Sequence, residues 1–280
     1  MKRIAMLGTG TMSTGIAQIA AQTGHDVIFW NPREESLALG LAALRKDLER
    51  LLKKERITQA DHDAALARIR GVTALEEAKT ADIVIEAVPE DIELKRDLFE
   101  RLAKICADEV VFASNTSSLS ITRLAKESGR ADLFIGMHFF NPVPAMKLVE
   151  IVRGLETTDA TAAKVIALAE KLGKVPIEVK DFPGFVVNRV VMPMINEAAH
   201  ALMQGVAEPK AIDECMKLGC NHPMGPLALA DLVGLDVVYS ILDTLHREFG
   251  VAHYKPCPLI QKYVEAGWLG TKSGRGFYHY

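Results

Sequence analysis

MKRIAMLGTGTMSTGIAQIAAQTGHDVIFW, residues 1–30, decides the fold. Arg3 to Leu7 is a short apolar run suited to a buried strand. The glycine-bearing turn Gly8 to Gly15 follows, then an alanine-rich helix ending near Gly24, then a second apolar run, His25 to Trp30. Strand, tight turn, helix and strand in that order are the setting a dinucleotide fingerprint needs. Gly8 allows the turn, Gly10 lets the backbone approach a pyrophosphate, and the helix N-terminus offers N–H groups to that anion. Gly8, Gly10, Thr11 and Met12 are therefore assigned to a cofactor. The third fingerprint position is Ser13, which is small enough to keep helix and strand close; Gly15 adds room. A plain βα turn without ligand also fits a lone GxG. The place at the head of a βαβ pattern favours the cofactor.

The 280 residues suffice for one large domain or two ordinary ones. Hydrophobic residues at 49% and charged ones at 25% give a globular profile, and a net charge of −3 argues against nucleic acid as a partner. Cys106, Cys215, Cys220 and Cys257 form no CxxC pair and read as reduced thiols of a cytoplasmic protein. No apolar run approaches the ~18 residues that span a bilayer. The N-terminal apolar run is too short for a signal peptide and reads as a strand that begins at once.

Past the second strand come Asn31, Pro32 and Arg33. An acidic residue there would bond the adenosine ribose hydroxyls and repel a 2′-phosphate. Asparagine bonds without repelling, and Arg33 can pair with phosphate, so the cofactor is NAD or NADP. Leucines at 37, 41, 44, 48 and 51 mark one face of a long helix, and Thr58 with Asp61 marks the start of another, running to about Ile69. This helical pair, about residues 35–70, is expected to project from the sheet. Its Lys53, Lys54 and Arg56 either meet an anionic ligand or form a solvated turn.

The α/β alternation resumes with ADIVIEAV (81–88), read as a buried strand ending at Pro89-Glu90. A helix over 92–106 packs through Leu94, Leu98, Phe99, Leu102 and Ile105. A strand over 109–113 then delivers SNTSSLS (114–120) to the same carboxyl edge, where open parallel sheets bind ligands. One of Ser118 and Ser120 caps the next helix, which leaves Ser117 for substrate or cofactor. GMHFFNPVPAMKLVEIV (136–152) is two apolar runs around a proline-bearing loop. Laid side by side, they bring His138 near Glu150, and an imidazole held by a carboxylate is a proton-transfer device. The first half thus reads as a Rossmann-type, doubly wound, mostly parallel sheet with an antiparallel return.

Residues 159–172 are helical and 175–179 form a last strand. The boundary falls at Asp181-Phe182-Pro183-Gly184, dividing a dinucleotide-binding domain (1–182) from an all-helical domain (183–280). The first helix of the second domain is expected from about Gly184, with Asn188 about a turn in and Pro193 inside it. Further helices are expected over 208–218, 226–233, 236–249 and 257–266. Ala228, Leu229, Leu232 and Val233 offer more apolar surface than one small bundle buries, which suggests a homodimer. Lys272, in the basic tail 270–280, either reaches the cofactor or lies in solvent.

Together these features resemble the L-3-hydroxyacyl-CoA dehydrogenase family, most closely its short bacterial members that act on 3-hydroxybutyryl-CoA. The specific stretches are SNTSSLSIT (114–122), GMHFFNPVPAMKLVEIVRG (136–154), PGFVVNRV (183–190), NHPMGPL (221–227) and AGWLGTKSGRGFY (266–278). The resemblance implies hydride transfer between a nicotinamide and a short-chain 3-hydroxyacyl-CoA. In that scheme His138 is the general base, Glu150 its support, and Ser117 and Asn188 bond the substrate at its reacting oxygen. Glu90, Lys95, Asn115, Asn141 and Lys272 match positions near the cofactor, and Lys53 and Lys54 lie over the CoA portion. Asn31 and Ser13 depart from the family pattern and bear on the choice between NAD and NADP. Two other readings stay open: a dehydrogenase of the same architecture acting on a free hydroxy acid or sugar acid, and a non-enzymatic nucleotide-binding protein.

Overall fold

The computed structural model describes residues 1–280, which divide into two compact units, Met1–Asp181 and Phe182–Tyr280. In the first unit β1 (Arg3–Leu7), α1 (Thr11–Gln22) and β2 (Asp26–Trp30) form the opening βαβ unit. α2 (Glu34–Lys53), α3 (Gln59–Ala67) and β3 (Ile69–Val72) follow. Then come β4 (Ile83–Glu86), α4 (Ile92–Ile105), β5 (Val111–Ser114), α5 (Ile121–Glu127) and β6 (Phe134–Phe139). The unit closes with β7 (Leu148–Arg153), α6 (Asp159–Lys171) and β8 (Val175–Lys180). One eight-stranded sheet runs β3-β2-β1-β4-β5-β6-β7-β8. All its pairings are parallel except β6–β7. Strand order reverses between β1 and β4, which makes their carboxyl ends the place where this architecture binds ligands.

The central strands are buried on both faces, which is why they read as unbroken apolar runs. α3 starts with a capping box: Thr58 Oγ1 accepts from Asp61 N–H and the Asp61 carboxylate accepts from Thr58 N–H. α2 does not simply project from the sheet. Leu37, Gly40, Leu44 and Leu48 are buried along it, and at Gly40 a Cβ would lie 2.6 Å from Thr9 Cβ and 3.0 Å from Phe29. The turn after α2 leaves Lys53, Lys54 and Arg56 exposed. β3 is an edge strand that periodicity did not reveal. Gly71 lies in it because a Cβ would meet Leu41 Cδ1 at 2.7 Å, so packing from α2 dictates a residue of poor strand propensity.

The second unit is helical: α7 (Val187–Met203), α8 (Pro209–Cys220), α9 (Pro226–Val233), α10 (Leu235–Phe249) and α11 (Pro258–Glu265). Met192, Ile195, Leu227, Leu235, Val238, Leu242, Leu245 and Ile260 form its core. α7 begins three residues later than its apolar run suggests, since Gly184 and Phe185 both hold positive φ. Asn188 is therefore the second residue of the helix.

Candidate active site

The amino end of α1 is built for an anion. Gly8 has φ +98°, and a Cβ there would lie 2.6 Å from Ala87 O, so only glycine fits. A Cβ at Gly10 would meet nothing within 4 Å, so the N-cap is open, and no side chain caps the helix. Its first N–H groups remain for a ligand's oxygens. Ser13 is fully buried and donates to Ala87 O at 3.1 Å, tying α1 to the end of β4 where a third glycine would only allow contact. These residues fit a dinucleotide.

At the end of β2, Asn31 Nδ2 donates to Thr9 Oγ1 at 2.9 Å, and Arg33 N–H donates to Asn31 Oδ1 at 3.0 Å. Asn31 thus braces the turn and brings no charge to it. Arg33 is the exposed N-cap of α2 and forms no ion pair.

His138 in β6 faces Glu150 in β7 across the one antiparallel pairing. His138 Nδ1 lies 2.7 Å from Glu150 Oε2, with both side chains buried. The carboxylate accepts the Nδ1 hydrogen, which leaves Nε2 as the ring's basic nitrogen. The Phe140 ring, 4.5 Å from the imidazole between centroids, limits its swing. Asn115, expected beside the cofactor, has its Oδ1 accepting from Phe139 N–H at 2.9 Å. It thereby extends the β5–β6 pairing to the residue after His138.

The loop between β6 and β7 carries Asn141. On one side Val143 rests against Gly15, where a Cβ would be 2.7 Å from Val143 Cβ. On the other, the buried Lys174 ammonium donates to Val143 O and, at 2.8 Å, to Met146 O. Burial pushes the Lys174 ammonium below its ordinary value. Sequence reading missed Lys174, because nothing local marks a lysine whose acceptors are carbonyls some thirty residues earlier.

The carboxyl ends of β4 and β5 meet in a charged network. Lys95 Nζ donates to Glu86 Oε1 at 2.6 Å and to Glu90 Oε2 at 3.1 Å, with the lysine side chain only 1% exposed. Ser117 N–H and Ser118 N–H donate to Glu90 Oε1 at 3.0 and 3.3 Å, and the Thr116 hydroxyl donates to the same atom. Burial pushes the Glu90 carboxyl up, but Lys95 and these donors outweigh it and hold it below the ordinary value. Burial likewise opposes the Lys95 charge, and Glu86 and Glu90 overcome that, raising it. Leu98, Phe99 and Leu102 pack inward from α4 as expected, Ile105 is half-buried, and Lys95 takes the inward place expected for Leu94, which is exposed. Ser120 is the cap of α5, accepting from Arg123 N–H at 3.2 Å.

In the second unit Asn188 is buried in the first turn of α7. Lys272 bonds both carboxylate oxygens of Asp236, the closer tail contact being at 2.5 Å.

A glycine turn for a pyrophosphate and a buried His–Glu pair at one sheet's carboxyl edge define a class, the nicotinamide-dependent oxidoreductases. Residues 3–182 match the model of the 3-hydroxyacyl-CoA dehydrogenase NAD binding domain, and residues 184–280 that family's C-terminal domain. The chain belongs to the 3-hydroxyacyl-CoA dehydrogenase family and is an NAD-dependent enzyme. It is 53% identical over 280 residues to a probable 3-hydroxybutyryl-CoA dehydrogenase of Bacillus subtilis, covering 100% of this chain and 98% of the relative. It is 46% identical to a 3-hydroxybutyryl-CoA dehydrogenase of Bradyrhizobium diazoefficiens, covering 100% of this chain and 96% of that one. The crystal structure of (S)-3-hydroxybutyryl-CoA dehydrogenase PaaH1 from Ralstonia eutropha superposes with a TM-score of 0.96 at 51% identity, covering 100% of this chain and 99% of that one.

Proposed function

We propose that this enzyme interconverts (S)-3-hydroxybutyryl-CoA and acetoacetyl-CoA, with His138 as general base and acid. The observation that carries this reading is the 2.7 Å His138–Glu150 contact in a buried strand pair. The nicotinamide supplies or accepts the hydride. The chain's own residues handle the proton. In oxidation, His138 Nε2 takes the hydroxyl proton, and Glu150 stabilises the imidazolium that results. In reduction, the same nitrogen returns a proton to the ketone oxygen. Ser117 and Asn188 bond that oxygen, where charge develops, and such donors lower the barrier. Gly8, Gly10, Thr11 and Met12 bind the pyrophosphate segment, while Glu90, Lys95, Asn115, Asn141 and Lys272 shape the rest of the cofactor site. Lys53 and Lys54 meet the CoA phosphates. Initial rates with acetoacetyl-CoA and with free 3-keto acids test the substrate. Comparable turnover of the free acid would contradict the CoA assignment.

Asn31 leaves NADP open as a second cofactor, because its braced amide carries no charge to repel a 2′-phosphate. Arg33→Ala is expected to weaken NADPH binding more than NADH binding, measured by fluorescence titration of the free enzyme. Equal losses would remove Arg33 from cofactor choice. The exposed Val190, Leu218 and Leu232 on the helical unit support a homodimer formed through it. The four free cysteines support a cytoplasmic place.

A further inference from the structure

We propose that Glu86 is a positioning residue that acts through Ser117. Glu86 ends β4, is 0% exposed, and lies in a run otherwise occupied by apolar residues. Its carboxylate takes three donors. Oε1 accepts from Lys95 Nζ at 2.6 Å and from Val88 N–H at 2.7 Å, and Oε2 accepts from Ser114 Oγ at 2.6 Å.

These bonds hold the 114–118 loop from both ends. At its root, Ser114 Oγ, fixed by Glu86, accepts from Thr116 N–H at 3.3 Å. At its crest, Lys95 is fixed by Glu86 and in turn fixes Glu90. Glu90 then collects Ser117 N–H, Ser118 N–H and Ser118 Oγ, the last at 3.1 Å. One ammonium serves two carboxylates, so Glu90 keeps negative charge with which to grip the loop amides. A buried ion pair contributes less to stability than well-packed apolar side chains of similar volume. Glu86 and Lys95 therefore need another reason to be here, and the bonds supply it. They place the Ser117 backbone, and through it the hydroxyl, at the sheet edge. Glu86 is fully buried beneath the loop. Its effect passes through Lys95, Glu90 and Ser114.

This inference rests on the reading of Ser117 as a substrate contact, and a double-mutant cycle separates the two. Glu86→Gln, Ser117→Ala and the pair are compared in kcat and KM for acetoacetyl-CoA reduction, with hydrogen exchange at Ser117 and Ser118 in the free protein. Glu86→Gln is expected to lower kcat by roughly tenfold, within the ~10²-fold that a misplacement of about 1 Å can cost. It should also speed exchange at both amides. In the Ser117→Ala background the same change is expected to cost less than about twofold. If the two losses multiply, Glu86 does not work through Ser117. If Ser117→Ala alone retains full turnover, the reading of Ser117 falls and this inference with it. Should Glu86→Gln fail to fold, Ser114→Ala keeps every charge and removes the bond between Glu86 and the loop root, and the same cycle with Ser117→Ala decides.

Discussion

The two units bury carboxylates in opposite ways. In the first, the fully buried Glu86 shares a lysine with Glu90, which is 36% exposed, and the charge is met by charge. In the second, Asp213 and Asp231 have no cation. Asp213 accepts from Leu227 N–H at 2.8 Å, Ala228 N–H at 2.9 Å and the Tyr278 hydroxyl at 2.7 Å. Asp231 accepts from Phe277 N–H and Tyr278 N–H, both at 2.9 Å, and from the Tyr280 hydroxyl at 3.2 Å. Gly276 passes so close to Asp231 that a Cβ would sit 2.0 Å from its Oδ1. The outcomes differ in sign. Lys95 and the loop donors hold Glu90 below its ordinary value. Burial, reinforced by Asp213, pushes Asp231 above its own despite three donors. Burial and the neighbouring aspartates push the Tyr280 hydroxyl up to about 12 and Tyr278 higher still. Dipoles suffice to pin a tail, whereas the 114–118 loop is held by a full ion pair.

Removing the cation should expose the contrast most strongly. Lys95→Met leaves Glu86 buried without its counter-ion and is expected to cost about 3–5 kcal/mol of stability by denaturant unfolding. A loss under about 1 kcal/mol would mean that Glu86 protonates or finds water, and the contrast would fail. Tyr278→Phe removes one of three donors to Asp213 and should cost about 1–2 kcal/mol. A loss as large as that of Lys95→Met would put the two clusters on one footing.

Acid should move the two clusters apart by a smaller margin. Glu90, depressed in the folded chain, contributes stability above the ordinary value of 4.5, and this is lost as pH falls through its folded value. Asp231, raised in the folded chain, behaves in reverse. Its contribution is absent at neutral pH, grows as pH falls through its raised value, and is complete below 3.8. Hydrogen exchange followed from pH 7 downward, corrected for intrinsic rates, should show Ser117 and Ser118 losing protection only below 4.5 while Phe277 and Tyr278 keep theirs. Simultaneous loss at one pH would contradict the assigned signs.

Much of this architecture is legible from residues that act locally. The glycine turn, the strand–proline–strand of 136–152 and the Thr58 capping box each carry their instruction within a few positions. The rest depends on partners distant in the chain. β3 was invisible because Gly71 answers to Leu41 in α2 and not to its own strand. Along α4 an apolar rule puts Leu94 inside and cannot place a lysine there, whereas Lys95 goes in for two carboxylates at and just beyond the end of β4. The cue was present in ADIVIEAV, where a lone glutamate interrupts a buried run and calls for a donor. An apolar run does not reveal the positive φ of Phe185, which holds the start of α7 back to Val187. Asn188 and Lys272 could be named from motifs, but their surroundings, a buried helix turn and the Asp236 carboxylate, could not.

The most direct test of the central claim is the turnover of His138→Gln in acetoacetyl-CoA reduction, measured beside its NADH dissociation constant. With His138 as the proton donor, kcat should fall by ~10²–10⁴-fold while NADH binding changes less than about twofold. Turnover near that of the unaltered enzyme would contradict the account.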